Sequence, residues 1–198
     1  MMWFRRVFDR GARAAQKDLE RRLAVFRAEL AAVRAAGAGE ASASSTDAAT
    51  ALGRLRGRPA ELGLAADDVE LEIELIDGLL EVSALRGSLE RGQPLPVVDT
   101  SHHAVAGEQC HFLASVSRPD VAGDQGGRLF ITDRRILYLG AATVSAGWAH
   151  LLDVRDQDRD LIVRRRTGQM QIFRCATYSD VLVGAAIVAH LLKRAERV

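Results

Sequence analysis

Apolar residues recur at helical spacing from Trp3 to about Ala36. Phe4, Phe8, Ala15, Leu19, Phe26, Leu30 and Val33 form one stripe between arginines and glutamates. The chain therefore opens on an amphipathic helix over residues 1–36, with Gly37 as its stop. The Ala/Ser/Gly/Thr run from Gly37 to Thr50 carries little apolar bulk, and the stretch 37–65 is expected to be a flexible linker. A second helix is predicted over 66–93. There Val69, Ile73, Ile76, Leu80 and Leu89 keep helical spacing, Asp67 and Asp68 suit the positive end of the dipole, and Gly92 and Pro94 end the run. The alternation Leu71-Glu72-Ile73-Glu74-Leu75 also fits a strand, but good helix formers continue well past strand length.

After Pro96 the pattern changes to short β-rich runs bounded by turn residues. Strands are predicted at Gln109–Ser117, Arg128–Thr132, Ile136–Gly140, Val144–Ala149, Leu151–Arg155, Leu161–Arg165 and Met170–Cys175. Asp133-Arg134-Arg135 makes one hairpin turn and Thr167-Gly168 another. A final helix from Ser179 to about Glu196 is capped by Ser179 or Asp180 and turns Leu182, Ala186, Ala189 and Leu192 to one face. The fold class is therefore α+β, with an N-terminal helical region and a seven-strand barrel closed by a C-terminal helix over 94–198. Phe130, Ile131, Ile136, Tyr138, Trp148, Leu161, Val163, Ile172 and Phe173 are its candidate core.

Charge sharpens the picture locally and not globally. The net charge of +1 argues against a surface built for nucleic acid. Residues 1–36 carry nine basic and four acidic side chains, whereas 37–92 carry five basic and eleven acidic, so the two helices are electrostatically matched. The longest apolar run, Val181 to Leu192, is too short to cross a bilayer. With only two cysteines and no signal-peptide pattern, a reducing cytoplasm is the expected location, with membrane association open. The excess of arginine over lysine and the abundant alanine fit GC-rich bacterial codon usage.

The stretch Gly127-Arg128-Leu129-Phe130-Ile131-Thr132-Asp133-Arg134-Arg135-Ile136-Leu137-Tyr138-Leu139 resembles a hairpin of the GRAM and bacterial pleckstrin-homology-like (PH-like) families. Gly107-Glu108 before it, Trp148 to Val154 after it, and the closing Gln171-Ile172-Phe173 strand with its helix follow in matching order. The resemblance implies a partly open seven-strand PH-like barrel that binds lipids, peptides or copies of itself and is rarely catalytic. Members that bind phosphoinositides place several Lys and Arg around the first hairpin loop. Here that loop has only Arg118 and Arg128, together with Asp120 and Asp124.

Candidate anion or lipid contacts are thus Arg118, Arg128, Arg164 and Arg166. Strand alternation puts Arg164 and Arg166 on one face and Arg165 on the other, with Asp156, Asp158 and Asp160 near enough in sequence to neutralise them. His102, His103, Cys110, His111 and Cys175 are metal-ligand types at spacing that matches no standard site, so no metal or other cofactor is expected. No phosphate loop, nucleophile elbow or carboxylate pair stands out, so no enzyme is expected. Trp3, Phe4 and Phe8 among Arg5 and Arg6 suit either a partner helix or an anionic membrane, and the stripe from Phe8 to Val33 also fits a coiled-coil seam. The expected function is a non-enzymatic interaction module. Its barrel recognises protein or lipid and its helical region serves oligomerisation or docking; the alternative is a peripheral membrane effector.

Overall fold

The computed structural model describes residues 2–38 and 45–196, with side chains over 13–36 and 45–196. Two compact units result, and the division falls inside a helix, between Ser83 and Ala84.

The first unit is helical. Helix α1 runs Met2–Ala38, α2 Ser45–Glu61 and α3 Glu70–Glu90, with a 3-10 turn at Ala66–Asp68. Phe26 and Leu30 of α1, Leu52 and Leu55 of α2, and Val69 and Ile76 share one core, joined by Leu19, Leu23 and Val33. Helix α2 corrects the linker expectation over 45–61. Its small Ala, Ser and Thr residues are compatible with a helix once Leu52, Leu55 and Pro59 are buried. Residues 39–44 of the expected linker lie outside the described residues. Gly63, at φ 61°, ends α2 in a Schellman turn: Leu64 N–H donates to Pro59 O at 2.9 Å and Gly63 N–H to Ala60 O at 3.1 Å. Arg22 then clamps the turn, donating to Leu62 O and Gly63 O.

The charge match between the helices is realised within the chain. Arg27 of α1 meets Glu72 of α3 at 2.6 Å, while Arg58 of α2 meets Glu29 of α1 at 3.0 Å in the opposite sense. The proposed inter-chain seam is occupied as well. Leu19, Phe26, Leu30 and Val33 face α2 and α3, so this length of α1 offers no free coiled-coil stripe. The region 71–75 is helical, as favoured.

The second unit carries seven strands and a helix. They are β1 Cys110–Ser117, β2 Gly127–Thr132, β3 Arg135–Leu139, β4 Val144–Gly147, β5 Leu151–Gln157, β6 Asp160–Arg165, β7 Gln171–Cys175 and α4 Tyr178–Ala195. The sheet order is β4-β3-β2-β1-β7-β6-β5, and every neighbouring pair is antiparallel. Strands β4 and β5 form no ladder, so the sheet stays open at that edge, in line with the partly open barrel expected. They are nonetheless joined by only the 3-10 turn Trp148–His150. A flat seven-strand sheet would hold its edges about 29 Å apart, whereas that connection spans at most about 14 Å. The sheet must therefore curl, and α4 packs across the curl against β5, β6, β1 and β7. This is the PH-like architecture in its open form.

Two details depart from the sequence reading. The buried residues of α4 are Val181, Leu182, Gly184, Ala185, Ile187, Val188 and Leu191, so Leu182 of the expected face is buried while Ala186, Ala189 and Leu192 are half-buried. The cap is Thr177, whose hydroxyl accepts from Asp180 N–H at 3.0 Å. Of the candidate core, Ile172 is half-buried and the rest are buried. Phe130 and Leu137 pack on the opposite side of the sheet from α4, under Val98, Ala104 and Val105. The segment before β1 thus covers a second face of β2 and β3, which explains why Leu129 to Thr132 are buried without alternation.

The hairpin residues that carry the family resemblance are fold-holding residues. Thr132 Oγ1 donates to Glu108 Oε2 at 2.6 Å and accepts from the N–H groups of Arg134 and Arg135. Arg135 meets Glu108 at 2.7 Å and also donates to Ala104 O. Gly127 has no room for a Cβ against the Leu139 carbonyl. Trp148 Nε1–H donates to Asp133 O at 3.0 Å.

Candidate functional site

Strand β1 holds β2 along its length but touches β7 only through Val116↔Cys175 and Ser117↔Arg174. Val116 points inward and is buried, so alternation turns Ser115 and Ser117 to the other side. Ser115 lies opposite Arg128 of β2, and Ser117 opposite Arg174 of β7. A cleft of about 530 Å³ opens over this junction, lined by both serines, Gly126, both arginines and Ala176. Gly126, at φ 94°, supplies the turn that brings the loop back to β2, and a Cβ there would press on Val116 O at 3.2 Å.

The two arginines differ. Arg174 makes a bidentate pair with Asp160, at 2.8 and 2.9 Å, and that hydrogen bonding raises its pKa. Arg128 is exposed and, among the described residues, engages no carboxylate. The cleft therefore presents one uncommitted guanidinium beside a serine hydroxyl.

The loop between β1 and β2 is closed on itself. Asp124 Oδ2 accepts from Arg118 N–H at 2.7 Å and Gly126 N–H at 3.2 Å, while Oδ1 accepts from Tyr138 OH at 2.8 Å. The tyrosine hydrogen bond holds the Asp124 carboxyl below its ordinary range, outweighing burial. Burial, with help from Asp124, pushes the Tyr138 phenol up to about 12. Arg118 is 9% exposed, bonds Asp120 at 3.0 Å and lies over the Tyr138 ring. Its guanidinium is engaged inside the loop.

The four candidate arginines do not converge. Arg164 pairs with Asp153 at 3.3 Å on the neighbouring strand, and Arg166 donates to Ala149 O at 3.1 Å beyond the end of β6. Asp153, unforeseen in this role, partners Arg164; Asp160 instead serves Arg174. Only Arg128 lines the cleft. Side chains of Trp3, Phe4, Arg5, Arg6 and Phe8 lie outside the described residues, although the backbone there is helical.

No protein-family model matches the chain, and no curated protein is similar to it. Solved structures do share low similarity. The C-terminal domain of an unknown protein from Leishmania infantum aligns at 14% identity and TM-score 0.39, over 45% of this chain and 89% of that one. The linker-DH/PH domains of p115-RhoGEF align at 10% identity and TM-score 0.40, over 76% of this chain. An R399E mutant of the p115-RhoGEF DH/PH domains gives 9%, 0.38 and 75%. The alignment spans about half the length of each RhoGEF chain, at 54%. The PH-like assignment rests on strand order and the closing helix.

The other reactive side chains are dispersed into structural roles. His102 stacks on His103 and accepts from Ala104 N–H through Nδ1, and His111 Nδ1–H donates to Pro96 O at 2.8 Å. Cys110 and Cys175 are buried free thiols; burial raises both and takes Cys175 to about 12. Among the described residues no three His, Cys, Asp or Glu side chains group to hold a metal, and no helix is long and apolar enough to cross a membrane. Sequence reasoning missed Ser115, Ser117 and Arg174, because their convergence depends on cross-strand register.

Proposed function

We propose that the chain is a non-enzymatic interaction module whose PH-like unit receives an anionic group in the cleft beside Arg128. One observation carries this reading: Arg128 is exposed, free of any carboxylate among the described residues, and faces Ser115 across the ladder in a cleft of about 530 Å³. An exposed guanidinium with a neighbouring hydroxyl suits a phosphate or carboxylate, through charge-assisted hydrogen bonds. The raised thiols support a binding role over thiol chemistry, since the thiolate is the reactive form.

Calorimetric titration of the full chain with inositol trisphosphate and with a phosphoserine peptide tests the reading and separates lipid-headgroup from peptide sources. Binding of either, weakened at least about tenfold by Arg128→Glu, is expected; a bidentate charged contact is of that size. No binding of either, or binding that Arg128→Glu leaves intact, overturns it.

A further inference from the structure

Helix α1 is much longer than the core it serves. Among the residues whose side chains are described, its core contacts begin at Leu19, and the 17 residues from Met2 to Asp18 continue as helix. At 1.5 Å per residue that is about 25 Å of helix. Residues 13 to 18 are all exposed, whichever side of the helix they occupy. The turns of α1 that adjoin the core on this side are therefore uncovered all the way round.

The apolar arc of this segment overlaps the core stripe and is wider than it. At about 100° per residue, positions 19, 23, 26, 30 and 33 fall within an arc of about 80°. Positions 3, 4, 7, 8, 11, 14 and 15 fall within a second arc of about 140°, centred about 90° from the first. That second arc holds Trp3, Phe4, Val7, Phe8, Gly11, Ala14 and Ala15, and it passes through Val25, which is 42% exposed within the packed length of the helix. The two arcs overlap at Phe8 and Ala15, and the second extends past the core stripe to Trp3, Phe4, Val7, Gly11 and Ala14.

Charge is distributed around the same arc. Arg6, Arg10, Arg13 and Lys17 occupy the positions along one border and Arg5 the other; Asp9 lies near the opposite side, and Asp18, at the C-terminal end of the segment, falls on the arc itself. Counted over 2–18, five cations meet two acids, Asp9 and Asp18, for a net +3. A protein groove that accepted the aromatics would not by itself call for cations along both borders. A flat anionic surface does: apolar residues enter the boundary between headgroups and acyl chains, tryptophan sits at that depth, and arginines on the flanks meet the phosphates.

We propose that residues 2–18 of α1 form an interfacial helix that docks the chain on an anionic lipid surface, with the core-facing stripe of residues 19–33 left in place. The proposal does not depend on the cleft beside Arg128, since the helix supplies both the apolar contact and the charge.

Full-length protein is mixed with vesicles of phosphatidylcholine alone, and of phosphatidylcholine with about one-third phosphatidylserine, and partitioning is read by sedimentation. Trp3 fluorescence is read in parallel. Binding to the anionic vesicles at least about tenfold stronger than to the neutral ones is expected, as is a blue shift that Trp3→Phe removes. Phe4→Glu with Phe8→Glu, and separately Arg6→Glu with Arg10→Glu, each reduce partitioning at least about tenfold; none of these positions belongs to the core that begins at Leu19. Raising salt from about 0.1 to 1 M weakens binding, as the Debye length shortens from about 10 to 3 Å. Phe4→Glu with Phe8→Glu leaves the inositol trisphosphate titration unchanged while it reduces partitioning, so loss of the cleft reading and loss of this one are distinguishable. Absence of vesicle binding overturns the proposal. So does binding indifferent to the Phe4/Phe8 pair, or a concentration-dependent dimer abolished by that pair in a protein that ignores vesicles.

Discussion

The hydroxyl of Tyr138 donates to Asp124 Oδ1 at 2.8 Å, tying strand β3 to the loop between β1 and β2. The same carboxylate gathers the N–H groups at both ends of that loop. The loop is thus fastened from within by one carboxylate.

Tyr138→Phe is predicted to keep the ring packing and remove the tie. A loss of about 1.5–3 kcal/mol is expected in chemical denaturation, the range for a hydrogen bond to a charged group, with faster amide exchange across 118–126. Because the phenol is raised to about 12, its contribution is complete below its ordinary value near 10 and is lost as pH climbs toward 12. The difference in tyrosinate absorbance between wild type and Tyr138→Phe checks this directly.

Glu108 is 9% exposed at its side chain and is held by Thr132 and Arg135. Burial works against its charge, yet those hydrogen bonds prevail and lower its pKa. Its contribution is therefore present above the ordinary value of 4.5 and is lost as pH falls below it. Arg135→Ala is expected to cost about 2–3 kcal/mol at neutral pH, the range for hydrogen bonds to a charged group. The cost should shrink on acidification, as measured by denaturation midpoints from pH 7 to pH 3.

Gly127→Ala is predicted to destabilise the PH-like unit by about 2–4 kcal/mol or to prevent its folding, because the new methyl meets the backbone of Leu139 and Gly140. Gly53→Ala is the control in α2, where nothing lies within 4 Å; a gain of about 0.5–1 kcal/mol is expected. Thermal melts of the two variants should move in opposite directions.

Leu55→Ala tests whether 45–61 is a packed helix. Leu55 is 7% exposed in the helical core, so its truncation is expected to cost about 2–4 kcal/mol and to raise amide exchange in α1 beyond Leu19. A true linker would show no change.

The seven strands, the closing helix and both predicted amphipathic helices were legible because each writes its period into the chain. Even the PH-like order could be read, since Thr132, Arg135 and Tyr138 belong to the hairpin that carries the resemblance and hold it in place here. Helix α2 was hidden because its burial rests on Leu52, Leu55 and Pro59 within a background of small residues, and small residues write no stripe.

Local pattern thus determined which segments are strands or helices, that the region after Pro96 forms a curled sheet with a helix across it, and that residues 3–15 carry an apolar and basic helix. Tertiary structure alone decided which arginines are available. Arg118, Arg164 and Arg174 are taken by Asp120, Asp153 and Asp160, and Arg128 is left over. For Arg164 and Arg174 the physical reason is register: a side chain's partner sits on the neighbouring strand, at a position set by hydrogen-bonded pairing. For Arg118 it is a folded loop that buries its guanidinium over Tyr138, and neither arrangement can be read along a single strand.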